Sequence, residues 1–267
     1  MESFLRYDAV TAPQFTLLYN VLSFAFAGFF AAAIGFFFAR QRVAPPYRMA
    51  LTLAGVVALV ASYHYFRIFE SWDAAYEWTA AGLTRTEQPF NVAYRYADWL
   101  LTVPLLMIEL IDVAKIRRGA RIATALALTA ALMIALGYPG EVAESRVTAV
   151  VFWTLSMLPF LGLFGYLAFG FGKHVQAQPE GARKWLNGAR WLTALVWWTY
   201  PVLFLIPIFG WTDGAAVVFI NVLFAVADLT AKVGLGLLIA AVAFAKSRLE
   251  AETRPPIAPP AATPAPA

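Results

Sequence analysis

The sequence predicts an all-α membrane protein: one bundle of seven transmembrane helices, with the N-terminus outside the cell and the C-terminus in the cytoplasm. Of its 267 residues, 61% are apolar and only 13% charged, and the mean hydropathy is +0.67. Soluble domains carry roughly 25% charged residues. Seven stretches of about 20 apolar residues, the length that crosses a bilayer, consume nearly the whole chain and leave no room for a separate soluble domain. Lys and Arg gather on alternate turns, which orients such a bundle. The short alternating segments that mark barrel strands are absent, so the spans are read as helices.

The opening MESFLRYDAV lacks a charged start, an apolar run and a small-residue cleavage site, and is not read as a removable signal peptide. Span one covers 14–39, and the turn after it holds Arg40, Arg42 and Arg48. Span two, 47–69, carries Arg67 near its mouth and leads into the longest connection, about Glu70 to Asn91. That connection lies outside, and its segments SWDAAYEW and GLTRTE predict a small hairpin or cap. Span three, 93–114, and span four, 122–138, flank Lys115, Arg117, Arg118 and Arg121. Span five, 147–171, is followed by Lys173, Arg183, Lys184 and Arg190; spans six and seven cover 186–208 and 217–245, and the chain then continues through Lys246, Arg248 and Arg254. Fourteen of the twenty Lys and Arg thus fall on the turns after spans one, three and five and on the tail, which the positive-inside rule assigns to the cytoplasm. The closing TRPPIAPPAATPAPA cannot bury a core, and residues 251–267 are read as a disordered Pro/Ala-rich tail.

With no cysteine, the chain has no disulfide framework, thiolate metal site or thiol nucleophile. Two histidines far apart in sequence give no basis for a metal centre. The formal charge of +4 follows membrane topology, so lipid is the expected partner and nucleic acid is not.

A few ionisable residues remain at membrane depth: His64, Arg95, Asp98, Glu109, Asp228 and Lys232. Each costs a few kcal/mol there, so each is a functional hypothesis by default. On span three, Arg95, Asp98, Thr102, Leu106 and Glu109 recur at helical spacing and stack on one face. Eleven residues separate Asp98 from Glu109, about 16 Å along a helix, with Asp98 toward the outside and Glu109 toward the cytoplasm. On span seven, Asp228 and Lys232 form an i, i+4 pair. Structural ion pairing between helices is the plain alternative. It leaves Glu109 unexplained, because LLMIEL holds no cation to pair with it; a carboxyl stranded in low dielectric favours its protonated form and has a proton to give.

Aromatic residues supply a second clue. Tyr96 and Trp99 flank Asp98; span five has Trp153 and Phe160; span six has Trp197, Tyr200 and Phe204 at spacings of three and four. Each alone reads as packing. Around a buried lysine, together, they read as an apolar slot for a conjugated ligand attached to that amine, since a buried lysine is suited to condense with an aldehyde.

RYADWLLTVPLL on span three together with DLTAKVGLG on span seven resembles the microbial rhodopsins, and the match extends over all seven spans. Within that family the chain looks like a proteorhodopsin, and the long outer loop with SYHYFRIFESWDAAY resembles the xanthorhodopsin subgroup. The resemblance implies that Lys232 carries all-trans retinal as a protonated Schiff base, with Asp98 and Asp228 as counterions, Asp98 as proton acceptor and Arg95 beneath them toward the outside. It likewise makes Glu109 the cytoplasmic proton donor, in the Asp98, Thr102, Glu109 combination of outward pumps. His64, in YHYF, stands where this group places a histidine bonded to the acceptor aspartate. Tyr65 and Tyr200 match the tyrosines that bond Asp228, while Trp99, Leu106, Met133, Gly137, Trp153 and Trp197 match pocket positions; leucine at 106 resembles the green-absorbing type. Carotenoid-carrying members have glycine where this chain has Trp153, so no antenna of that kind is expected.

The function implied is a light-driven outward proton pump, an ion transporter rather than an enzyme, in the bacterial inner membrane and as a homo-oligomer, pentamer or trimer. The alternative on the same scaffold is a sensory photoreceptor, against which Glu109 argues, because the donor position is commonly not carboxylic in sensors. Sodium and chloride pumps carry Asn or Thr in place of Asp98. A passive light-gated channel and a retinal-free secondary transporter complete the field.

Overall fold

Seven rods run through the chain among residues 2–253, which the structure, a computed structural model, describes. The first is α1 (Ala12–Arg40) and the second α2 (Arg48–Ala74). The outer connection folds as the predicted hairpin: β1 (Tyr76–Thr79) pairs antiparallel with β2 (Gly82–Arg85), Tyr76 opposite Arg85. Rods three and four are α3 (Ala93–Ala114) and α4 (Gly119–Glu141). Rod five is α5 (Arg146–Gly165), a π turn over Tyr166–Gly170 and the short α6 (Gly172–Gln176). Rod six is α7 (Glu180–Val196) and α8 (Thr199–Ile208), and rod seven is α9 (Gly214–Leu229), a π turn over Thr230–Gly234 and α10 (Leu235–Thr253).

Six rods are long and apolar enough to cross a membrane. The third departs from that composition because Arg95, Asp98, Glu109 and Asp112 interrupt it; the first three are buried in the bundle, while Asp112 pairs with Lys115 at its end. The spans read from sequence are mostly shorter than the helices. Rod six, for example, begins at Glu180 rather than 186, since its first turns are amphipathic and stand above the apolar stretch. The tail expected to be disordered from residue 251 remains helical to Thr253; its remainder, 254–267, lies outside the described residues.

Local chemistry explains the ends. Asp213 caps α9 by accepting the Ala216 N–H at 3.0 Å, and Gln14 Oε1 accepts the Thr11 N–H at 2.9 Å at the head of α1. Gly214, the first residue of α9, lies so close to the Ala9 carbonyl that a Cβ would collide with it; glycine lets the N-terminal segment cross there. The Tyr76 hydroxyl donates to the Tyr7 carbonyl at 2.8 Å, and Trp72 stacks on Phe15 at 5.8 Å, so the hairpin and the N-terminal segment cap the same end. At the other end Gly236 brings rod seven against rod one, where a Cβ would meet the Phe36 ring at 2.5 Å. Small residues at such crossings are how helices approach closely without a hydrophobic driving force between them.

Candidate functional site

The α3 stripe faces the interior as its spacing predicts: Arg95, Asp98, Thr102, Leu106 and Glu109 are all buried. Lys232 sits in the π turn of rod seven, and turns of this kind concentrate at functional sites. Its ammonium donates to Asp98 Oδ2 at 2.6 Å and lies 3.1 Å from Asp228 Oδ1. The three side chains are each 1% exposed, so one cation stands between two acids away from bulk solvent. The Phe29 ring lies 5.6 Å from the nitrogen.

The two acids are treated differently. Asp228 accepts from Tyr65 at 2.8 Å, from Tyr200 at 2.7 Å and from the Trp99 indole at 3.0 Å. Asp98 receives only the ammonium, and its Oδ1 has no hydrogen-bond partner among the described residues. Asp228 is therefore saturated with donors, while Asp98 keeps an open lone pair beside the amine.

One predicted neighbour, His64, makes a different contact from the one the resemblance implied, and two others show partners that it did not specify. His64 Nδ1 donates to the Val60 carbonyl at 3.0 Å and stands 4.0 Å from Asp98 Oδ1, beyond hydrogen-bond reach. The carbonyl one turn back on its own helix takes the bond expected for Asp98. Thr102 donates to the Asp98 main-chain carbonyl at 2.8 Å. Arg95 does lie one turn from Asp98, yet it makes no ion pair among the described residues: it donates to Asn221 Oδ1 at 2.7 Å and stacks over Phe224 at 4.6 Å. Asn221 and Phe224 were missed by sequence reasoning. The signal for Asn221 was available, an amide inside an apolar span two helical turns from Asp228 and on its face.

From Lys232 a narrow slot runs between rods three to seven. Its walls include the predicted Tyr96, Trp99, Leu106, Met133, Gly137, Trp153, Phe160, Trp197 and Tyr200. Tyr65 does not line it but stands behind Asp228. Trp153 is pinned by donating from Nε1 to the Pro201 carbonyl at 3.1 Å, which ties α5 to α8. Glu141, given no role by the sequence, also lines the slot, 3.5 Å from the Tyr96 hydroxyl. Glu109 stands apart on α3, fully buried, with neither carboxyl oxygen hydrogen-bonded among the described residues. No metal-ligating cluster occurs among the described residues.

Residues 16–246 match the family described as bacteriorhodopsin-like protein. Archaerhodopsin-2 of Halobacterium sp. (strain aus-2) is 34% identical over 148 residues, 54% of this chain and 55% of its own, so the chain spans about half the length of that relative. The crystal structure of xanthorhodopsin, described as a light-driven ion pump with dual chromophore, superposes with a TM-score of 0.87 at 39% identity, covering 91% of this chain and 98% of that one. That of a thermophilic rhodopsin gives 0.86 at 36% identity, with 90% and 98% covered. With the family matched across six-sevenths or more of the chain and the buried lysine set between two acids, this protein belongs to the bacteriorhodopsin-like family.

Proposed function

We propose that the protein is a light-driven outward proton pump of the proteorhodopsin-like kind, with all-trans retinal held covalently by Lys232. The reading includes a bacterial inner-membrane location, an outer N-terminus, a cytoplasmic C-terminus and assembly as a pentamer or trimer. The observation that carries it is the inequality of the two acids beside Lys232: Asp228 with three donors, Asp98 with an open oxygen. Retinal suits the slot, because the one amine opening into it stands at the end of an aromatic-walled channel with room for a linear polyene. When bound, retinal supplies absorption of visible light and a photoisomerisation that changes the proton affinity of the nitrogen to which it is joined.

The chain's own residues do the rest. Asp98 Oδ2, 2.6 Å from the lysine nitrogen, takes the proton that leaves it. Asp228 accepts hydrogen bonds from Tyr65, Tyr200 and Trp99 and so has its oxygens occupied. Arg95, held outward by Asn221, supplies positive charge on the side to which the proton departs. Glu109, about three turns along α3 in the other direction, stores the proton that refills the nitrogen. Direction follows from an acceptor and a donor on opposite sides of one amine, used in that order. Moving a charge against 100 mV costs about 2.3 kcal/mol, which light must supply.

Illumination of cells that express the protein with retinal is expected to acidify the medium, and a protonophore is expected to collapse the change. No pH change would favour the photosensor; alkalinisation would reverse the proposed direction. Glu109→Gln is expected to keep the pigment and the first proton transfer but to slow recovery of the absorption after a flash by about tenfold or more. Because the refilling proton must then come from bulk water, that recovery becomes proportional to proton concentration, which flash spectroscopy across a pH series measures.

The reading includes no carotenoid antenna of the glycine-window type. The Trp153 indole fills that part of the wall and is anchored to Pro201. A ketocarotenoid mixed with the pigment is expected to add nothing to the excitation spectrum for retinal fluorescence, and energy transfer in the unsubstituted protein would overturn this.

A further inference from the structure

At the end of the bundle that carries the basic turns, a second, more open cavity lies between the end of α3, the connection from α6 to α7 and the end of α10. Lys246 forms its base. This side chain is 6% exposed, and its ammonium donates to the Val113 carbonyl at 2.9 Å and the Ala114 carbonyl at 3.3 Å, at the last turn of α3. No carboxylate lies within ion-pair distance of it among the described residues. Carbonyl dipoles solvate an ammonium without cancelling its charge.

Arg117 and His174 line the same cavity, and neither has an acid partner among the described residues. Lys115 is already engaged by Asp112 at 2.8 Å. The acid in the lining, Glu250, is engaged by Tyr47, also in the lining, whose hydroxyl donates to it at 2.5 Å. Topology accounts for basic residues in turns. It does not account for a lysine buried at the mouth of the bundle. Capping of α3 uses two of that lysine's three N–H groups and leaves one, while the Arg117 guanidinium and the His174 ring line the cavity without an acid paired to either among the described residues.

We propose that this cavity is an anion site for a phosphate group, with Lys246 beneath it and Arg117 and His174 at its rim. A phosphate offers several acceptor oxygens to an ammonium and to the planar fork of a guanidinium at once. The site lies at the mouth of the bundle on its basic end, where basic pockets between helices take lipid headgroups. The phosphodiester of an anionic lipid and free phosphate share this chemistry.

The test uses the full chain with retinal in two arms. In the first, nanodiscs of phosphatidylcholine with and without phosphatidylglycerol are released into native mass spectrometry and retained phosphatidylglycerol is counted. In the second, inorganic phosphate is titrated into phosphatidylcholine nanodiscs and followed by phosphorus NMR. Saturable binding is expected in at least one arm, weakened about tenfold or more in Lys246→Met and in the Arg117→Gln, His174→Gln double variant. Binding only in the first arm identifies a lipid headgroup, and only in the second a soluble phosphate; each supports the site. If Lys246→Met does not fold, the double variant carries the test, since the side chains of Arg117 and His174 make no hydrogen bond to another helix among the described residues. No saturable binding in either arm, or binding that every variant retains, overturns the proposal. The readout is binding alone, so the result does not depend on whether the protein pumps.

Discussion

Lys232→Ala is expected to leave the protein colourless after purification with all-trans retinal. The substitution removes the one amine at the head of the aromatic slot and with it the covalent tether. It also removes the cation between Asp98 and Asp228, which lie 2.6 and 3.1 Å from it. Deleting one partner of a buried ion pair costs on the order of 3–5 kcal/mol, because the partners left behind are no longer compensated. Lys232→Arg separates the two effects. A guanidinium keeps a positive charge near both acids but does not condense with an aldehyde under these conditions, so this variant is expected to fold, by circular dichroism, and to remain colourless. A visible band in either variant that hydroxylamine bleaches would place the tether elsewhere.

Asp98→Asn is expected to abolish light-driven acidification and to shift the absorption band to the red. The amide has no lone pair basic enough to take the proton, and Asp228 is no substitute, since Tyr65, Tyr200 and Trp99 already occupy its oxygens. The colour change has an electrostatic origin. A carboxylate beside the positive nitrogen stabilises the ground state, in which the charge resides there, more than the excited state, in which the charge spreads along the chain. Removing one of two such carboxylates narrows the gap. Pumping that persists in Asp98→Asn would move the acceptor role to another group, and an unchanged band would remove Asp98 from the counterion.

Much of the candidate site was legible one element at a time. The α3 stripe from Arg95 to Glu109 is a helical repeat of polar residues within an apolar span, and the structure buries all of it. The i, i+4 spacing of Asp228 and Lys232 made them neighbours on any helix, and the π turn keeps them 3.1 Å apart. The outer connection reads as a hairpin or a cap around SWDAAYEW and GLTRTE, and β1 and β2 pair there. What was not legible came from contacts between elements. His64 was expected to bond Asp98, but whether its ring reaches a carboxylate on α3 or the Val60 carbonyl on α2 depends on the depth at which the two helices cross. Asn221 went unnoticed because an amide in an apolar span gains meaning only when Arg95, 126 residues away, arrives beside it.

The number of spans, the inward face of α3 and six of the buried ionisable residues are readable along the chain, while Glu141 and Lys246, buried as well, read as loop and tail residues. The readable properties follow from transfer energies and helical periodicity, which act along the chain and need no partner. Which acid touches the lysine with an oxygen to spare, and which is surrounded by donors, is set by the packing of the helices. That choice depends on where residues separated by more than a hundred positions meet, as Asp98 and Lys232 do across 134 of them. Helix crossing, rather than composition, sets such distances to within the few tenths of an ångström on which a hydrogen bond depends.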